Sequence, residues 1–128
     1  MEAAQVPPDA VIERQVTAED TAASWGAEFP PAASTPFALG LAEVACHRAV
    51  AAELKPEEVT VGTEASIRHL APSPIGAWLR ASARLVSRDG RWLEFVVTIE
   101  DAEEVVAEIE HTRAIVDRES MLERLGRA

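Results

Sequence analysis

The sequence predicts an α+β domain in which an antiparallel β-sheet wraps around one long central helix. Three observations carry that expectation. First, residues 36–54 hold only Glu43, His47, Arg48 and Glu53 as ionisable groups. At 100° per residue, apolar or small side chains then occur almost all the way round, so such a helix is buried on most sides. Second, the residues after it alternate in polarity with the period of strands. Third, a single weaker strand precedes it.

In chain order, residues 1–10 read as a loose lead-in and residues 11–17 as a short edge strand. Residues 18–34 are acidic, then rich in Pro, Ala and Ser, and form a loop carrying Trp25 and Phe29. Large rings on a loop cover either the core or a ligand pocket; core cover is the simpler expectation. Ser34-Thr35-Pro36 is a helix start, a hydroxyl at the cap followed by proline in the first turn. Leu39, Val50 and Leu54 fall near Glu43 on the helical wheel. A carboxylate in those surroundings must be paired, hydrogen-bonded or held at a raised pKa.

In the next strand the odd positions Val59, Val61, Thr63, Ala65, Ile67 and His69 share one side, apolar or small until it reaches His69. A hydrogen-bonded core histidine is the plain reading; a proton-transfer group near neutral pH is the functional one. A proline-punctuated turn to Gly76 follows. The hairpin after it sets an apolar face of Ala77, Leu79, Ala81, Ala83 and Leu85 against Leu93, Phe95, Val97 and Ile99. A three-residue loop, 88–90, with left-handed Gly90 would place Leu85 opposite Leu93 and Ala83 opposite Phe95. The last strand, 104–116, has Val105, Ala107, Ile109, His111, Arg113 and Ile115 on one side. A buried Arg is uncommon without an acid or an anionic ligand beside it. Residues 119–125 form a short surface helix within a C-terminal tail, 118–128.

At 128 residues the chain is one domain, 1–128. Its net charge of −10 argues against nucleic acid and against an anionic membrane surface. A single cysteine, Cys46, excludes an internal disulfide or a cysteine-based zinc cluster. Neither a signal peptide nor a bilayer-spanning run is evident, which points to the cytoplasm. No metal or cofactor is called for.

One weak strand, one buried helix and four strands in antiparallel order match the hot-dog arrangement. A cone-shaped α+β fold of the nuclear-transport-factor type is the rival, but it leads with more helix. So small a sheet leaves edges uncovered, and a homodimer is the natural remedy.

The ordered set Thr35 to Cys46, Val61-Gly62-Thr63, His69 to Gly76 and Glu110 to Arg113 resembles the fluoroacetyl-CoA thioesterase-like family of hot-dog proteins. The likeness runs over residues 35–116, and Thr, Glu and His keep the family separations of eight and then twenty-six residues. The resemblance implies catalytic positions at Thr35, Glu43 and His69 and active-site positions at Gly62 and Arg113. It also implies hydrolysis of a small or medium acyl-CoA to free acid and CoA. Phe29 and Trp25 are the candidate rings for substrate contact. Family members often carry an aromatic residue where this chain has Val44, so fluoroacetyl is not to be assumed as the acyl group.

The residues support part of this chemistry on their own. Hydrolysis needs a base for water, a group orienting that base, and donors for the oxyanion. His69 fits the base and Glu43 its partner, although the sequence leaves open which of the two activates water. Free N–H groups at the helix start near Thr35 suit negative charge, and Gly62 permits close approach of a ligand. Eight helical residues rise about 12 Å, so Thr35 and Glu43 do not reach one atom from a straight helix. Either the helix begins after Thr35 or the site combines residues from two protomers, and the shared site is the favoured expectation. Arg80, Arg84 and Arg88 recur on the outward face of their strand, as a solvated face or a basic strip for CoA phosphates. His47 and Cys46 read as structural. A hydratase or dehydratase acting on acyl thioesters, or a non-catalytic acyl-CoA or small-ligand binding protein, are the alternatives.

Overall fold

The computed structural model describes residues 7–126; the first six residues of the lead-in and the last two of the tail lie outside them. The elements are β1 (Ala10–Gln15), α1 (Thr35–Val50), β2 (Glu58–His69), β3 (Trp78–Asp89), β4 (Trp92–Glu100), β5 (Val105–Asp117) and α2 (Arg118–Gly126). The strands form one antiparallel sheet in the order β1-β3-β4-β5-β2. No described helix is long and apolar enough to cross a membrane.

Helix α1 begins where its signals place it. Ser34 has extended backbone and its Oγ accepts a hydrogen bond from the Phe37 N–H at 3.1 Å, and Pro36 sits in the first turn, where its missing N–H costs nothing. The helix ends at Val50 rather than at Leu54, because residues 51–53 tighten into a 3₁₀ turn. Its buried side is made of Ala38, Leu41, Ala42, Ala45 and Cys46. These small residues let the helix lie close on the inward faces of β3 and β4, where Leu79, Ala81, Ala83, Leu93, Phe95, Val97 and Ile99 are all buried. Burial pushes the Cys46 thiol up to about 12, so it is an inert member of that core.

The hairpin keeps the expected apolar faces but not the expected register. Asp89 pairs with Trp92, which leaves a two-residue loop, Gly90 and Arg91, with Gly90 at φ 62°. A bulge at Val86 then shifts the strands, so that Leu85 faces Phe95, Ala83 faces Val97 and Ala81 faces Ile99. The extra residue restores apolar-to-apolar pairing that a two-residue loop alone would split. It also turns Arg88 to the face of Leu93, away from that of Arg80 and Arg84. Arg80 is taken up by Glu13 at 3.5 Å, so the three arginines form no continuous strip.

A second bulge, at Thr63, overturns the reading of β2 as one unbroken odd face. Gly62 pairs with Arg113 and Glu64 with Thr112, leaving Thr63 unmatched. The inward side is therefore Thr60 and Gly62 before the bulge and Ala65, Ile67 and His69 after it, opposite Ile115, Arg113, His111, Ile109 and Ala107. Val59 and Val61 fall on the other side. The bulge is what brings Gly62 and His69 to one face of one strand.

Trp25 and Phe29 do not cover the core; they are 74% and 49% exposed. Backbone bridges between Thr21 and Ala33 and between Ala32 and Pro74 tie down the two arms of their loop. Residues 24–29 project beyond those ties as a tip.

Candidate active site

Two clusters of functional side chains lie on the inward side of β2, one near each end. At the His69 end, Thr35 Oγ1 and His69 Nδ1 are 2.9 Å apart. Thr35 occupies the first position of α1 rather than the cap, so its hydroxyl is free for this contact. Both residues are exposed, which excludes the core-histidine reading. Strand β2 is a sheet edge, with β5 on one side and no described strand on the other.

Beside this pair runs a groove of about 450 Å³, lined by Ala22, Pro30, Ala32, Ala33, Ser34, Thr35, His69, Leu70, Ala71 and Pro72. Its wall is mostly small and apolar, and its polar groups converge at Thr35 and His69. A groove of that character suits an apolar acyl group with the reacting carbonyl at its polar end. Trp25 and Phe29 are not among its lining residues, although their loop supplies Ala22 and Pro30.

The second cluster is built around Arg113. This guanidinium is 7% exposed and uses both ends of its fork. Nε donates to Thr60 Oγ1 at 2.9 Å and NH2 donates to the Thr60 carbonyl at 2.9 Å. NH1 donates to Glu43 Oε1 at 3.0 Å and to His111 Nε2 at 3.1 Å. The acid that a buried arginine requires is thus Glu43, delivered from the middle of α1. Glu43 is not buried as the helical wheel implied: its side chain is 42% exposed, with Oε1 held by Arg113.

Gly62 sits directly over this contact. A Cβ at position 62 would run into the Glu43 carboxylate and would lie 3.1 Å from His111 Cε1 and 3.2 Å from Arg113 NH1. Glycine is needed here for space, not for an unusual φ.

His111 was visible in the sequence only as a basic interruption of an apolar face. Here it completes the cluster. Its Nδ1 lies 2.8 Å from the Glu64 carbonyl, which accepts only, so Nδ1 carries the proton. Nε2 is then the acceptor for Arg113, and the ring is neutral. Burial pushes its pKa below the ordinary histidine value; the Glu64 carbonyl opposes that shift, and Arg113 adds to it. His47, set aside as structural, joins the same network through a 2.7 Å contact of Nδ1 with Thr60 Oγ1. Its pKa is also lowered, first by burial and then by Arg113 and Arg48. No periodicity marks Thr60 or His47 as functional; only the cross-strand register reveals them.

Both histidines bind fewer protons folded than unfolded just below the unfolded value of about 6.5. Their contribution to stability is therefore full above that value and declines as pH falls through it. A His111→Asn variant is free of this term. Its deficit in Tm relative to the unsubstituted protein should narrow between pH 7.5 and pH 5.5, as followed by circular dichroism. A constant deficit would mean that His111 is not held neutral.

The two clusters are separate within one chain. Thr35 and Glu43 stand about 12 Å apart along α1, and Gly62 and His69 about 20 Å apart along β2. The chain brings Thr35 to His69, and Glu43 to Arg113 and Gly62, but it does not bring these two sets together.

Comparison with known proteins bears on what such an arrangement does. The family model described as "FlK: Fluoroacetyl-CoA-specific thioesterase" matches residues 16–119. A fluoroacetyl-CoA thioesterase from Streptantibioticus cattleyicolor is 38% identical over 93 residues, covering 73% of this chain and 67% of the relative. Among solved structures, a variant of the fluoroacetyl-CoA thioesterase FlK in complex with acetyl-CoA superimposes with a TM-score of 0.88. It is 29% identical, with 92% of this chain and 93% of that chain covered. Another FlK variant, in complex with fluoroacetate and CoA, gives a TM-score of 0.84 at 28% identity, with 91% and 96% covered.

Proposed function

Since the chain belongs to the fluoroacetyl-CoA-specific thioesterase family, we propose that Thr35, Glu43 and His69 carry its hydrolysis of acyl-CoA thioesters in a site shared by two protomers. The observation that carries this reading is the contact of Thr35 with His69 at one end of β2 and of Glu43 with Arg113 at the other. Strand β2 has an open edge. A two-fold axis crossing it at Ser66 would pair β2 with its copy antiparallel, with Ala65 opposite Ile67 and the bulged Thr63 unmatched. It would also set Gly62 of one protomer opposite His69 of the other. The half-sites would then meet twice per dimer.

In this arrangement the thioester carbonyl lies at the polar end of the groove. His69 holds its proton on Nδ1, donating to Thr35 Oγ1, and Nε2 takes a proton from the attacking water. Glu43 of the other protomer, anchored through Oε1, faces the imidazolium that forms and stabilises it. The Thr35 hydroxyl proton, freed by accepting from His69, is the donor for the oxyanion. The rest of the first turn of α1 adds none, since Pro36 has no N–H and those of Phe37 and Ala38 go to Ser34. Collapse of the tetrahedral intermediate expels the CoA thiolate, which takes the proton from His69. Gly62 leaves the room that the Glu43 carboxylate occupies, and Trp25 and Phe29 stand on the loop tip where they can close over a bound acyl group.

Val44, 41% exposed, follows Glu43 on α1. With an alanine-lined groove, this favours an apolar acyl group larger than fluoroacetyl. The test is a panel from acetyl-CoA to octanoyl-CoA, with branched and aryl members, following thiol release and enoyl absorbance together. Thiol release with kcat/KM rising about tenfold per 1.4 kcal/mol of added apolar contact, up to four to six carbons, is the expected result. Ala71→Phe, which narrows the groove, should abolish that preference while sparing acetyl-CoA. A change in enoyl absorbance without thiol release would overturn hydrolysis in favour of hydration, and saturable binding without turnover would leave only a binding protein.

A further inference from the structure

His47 lies four residues after Glu43 on α1, on the same side of the helix, yet it does not contact the carboxylate. It reaches Thr60 instead, and Thr60 holds Arg113. We propose that His47 is a positioning residue for the Glu43 carboxylate, acting through the Thr60 hydroxyl and the Arg113 guanidinium.

Arg113 Nε can only donate, so Thr60 Oγ1 accepts from it at 2.9 Å. The Thr60 hydroxyl has one proton of its own, and His47 Nδ1, at 2.7 Å, can accept it when that nitrogen is unprotonated. With Nδ1 unprotonated, every link has one donor and one acceptor: Thr60 donates to His47, Arg113 donates to Thr60, and Arg113 NH1 donates to Glu43. The Thr60 carbonyl fixes the other arm of the guanidinium at 2.9 Å. The plane of the fork, and with it the direction of NH1, is thereby set from the helix.

Protonation of His47 would break this order. Nδ1–H would become a second donor to Thr60 Oγ1, and the hydroxyl proton would have to turn away. A positive charge would also arrive beside Arg113. The charged groups around the ring are Arg113 on β5, Arg48 beside it on the helix, and Glu43 one turn back. Glu58, the next residue on the Thr60 side of β2, turns its Oε1 to the Lys55 N–H at 2.9 Å and gives His47 no counter-charge. The neutral ring is the one this environment favours, for the same reasons of burial and neighbouring arginines that lower its pKa. The proposal rests on the assignment of Glu43 to the thioesterase site, and it concerns how that carboxylate is aimed.

The test compares His47→Val, which removes the acceptor, with His47→Asn, whose side-chain oxygen can replace Nδ1 without titrating. His47→Val should lower kcat about tenfold with little change in KM, the size expected for a lost hydrogen bond in a charged network. His47→Asn should recover most of that loss. Thr60→Val should match His47→Val, and the double variant should be no worse than either, because both break one chain. On acidification below pH 6.5, kcat/KM of the unsubstituted protein should fall with one more ionisation than that of His47→Asn.

A readout independent of turnover is the exchange rate of the Arg113 Nε proton by NMR. It should be slow in the unsubstituted protein and in His47→Asn, and faster in His47→Val. Equal kcat, equal pH profiles and equal exchange for His47→Val and the parent would overturn the proposal. So would His47→Asn as impaired as His47→Val. Turnover that survives loss of Glu43 would instead overturn the site assignment, while the exchange rates would still test the relay.

Discussion

His69→Ala and Glu43→Ala are each expected to lower kcat by about 10²- to 10⁴-fold, the usual contribution of a positioned proton-transfer group. Mixing the two inactive chains should nevertheless restore about a quarter of the unsubstituted rate after random reassortment into dimers. The arithmetic follows from the separation of the clusters. Half of the dimers would then be mixed, and each mixed dimer would hold one site with both residues intact and one with neither. If Glu43 and His69 served the same site from one chain, every site in the mixture would lack one of them, and the activity would stay at the level of the single variants. Purification of the mixed dimer through two different tags sharpens the contrast. The size of the recovery decides between a shared and a single-chain site without any need for a bound ligand.

Much of the fold was legible because its signals are local. The Ser34-Thr35-Pro36 start, the small-residue side of α1 and the apolar faces of β3 and β4 all stand where period and capping put them. Both failures of register have one cause. A bulge adds a residue without any requirement on its type, so Thr63 and Val86 look like ordinary strand residues. Each inverts which side the following residues take. For β2 the inversion decides function, since Thr60 and Gly62 would otherwise share no face with His69. Strand periodicity singles out His69 and the helical wheel Glu43, while the roles of Thr35, Gly62 and Arg113 in a site come from the resemblance to a family motif. The chemistry linking Arg113 to an acid was reached from burial alone. His111, Thr60 and His47 were not reached, because their roles depend on cross-strand neighbours 47 to 53 residues away in sequence or on a helix-to-strand contact. Trp25 and Phe29 were misjudged as core cover because rings on a loop carry no information about which way the loop is tied.

Arg113→Leu is expected to be the most damaging single change to the architecture of the site. Four hydrogen bonds end on that guanidinium. Without it the Thr60 carbonyl and His111 Nε2 lose their donor, and Glu43 loses its anchor. Glu43 is half-exposed and its loss of the ion pair costs little, but each buried acceptor left without a donor costs about 1–3 kcal/mol. A total of about 3 kcal/mol lowers Tm by about 10 °C for a chain of this size. Because Glu43 would no longer be aimed, kcat should fall by about 10²-fold even at temperatures where the variant is folded. Arg113→Lys is the informative companion. A lysine restores the charge beside Glu43 but offers a compact ammonium in place of a planar fork, and it cannot serve Thr60 Oγ1, Thr60 O, Glu43 and His111 together. It should regain part of the stability and little of the rate. The acid sensitivity that His111 brings should also weaken in Arg113→Leu. Removing the guanidinium removes a positive neighbour of His111 and frees Nε2, which stands 3.8 Å from Glu43 Oε1. A proton on Nε2 would then be held by the carboxylate, while Nδ1 keeps its bond to the Glu64 carbonyl in either state. Burial still disfavours the charged ring, so the folded pKa would rise toward the unfolded value of about 6.5. The loss of stability that His111 brings to the unsubstituted protein as pH falls through that value would be reduced. The Tm deficit of Arg113→Leu should therefore shrink on acidification, with imidazolium standing in for guanidinium. Restoration of the full rate by Arg113→Lys, or a deficit of Arg113→Leu that grows on acidification, would show that Arg113 does not hold Glu43 in the way its geometry implies.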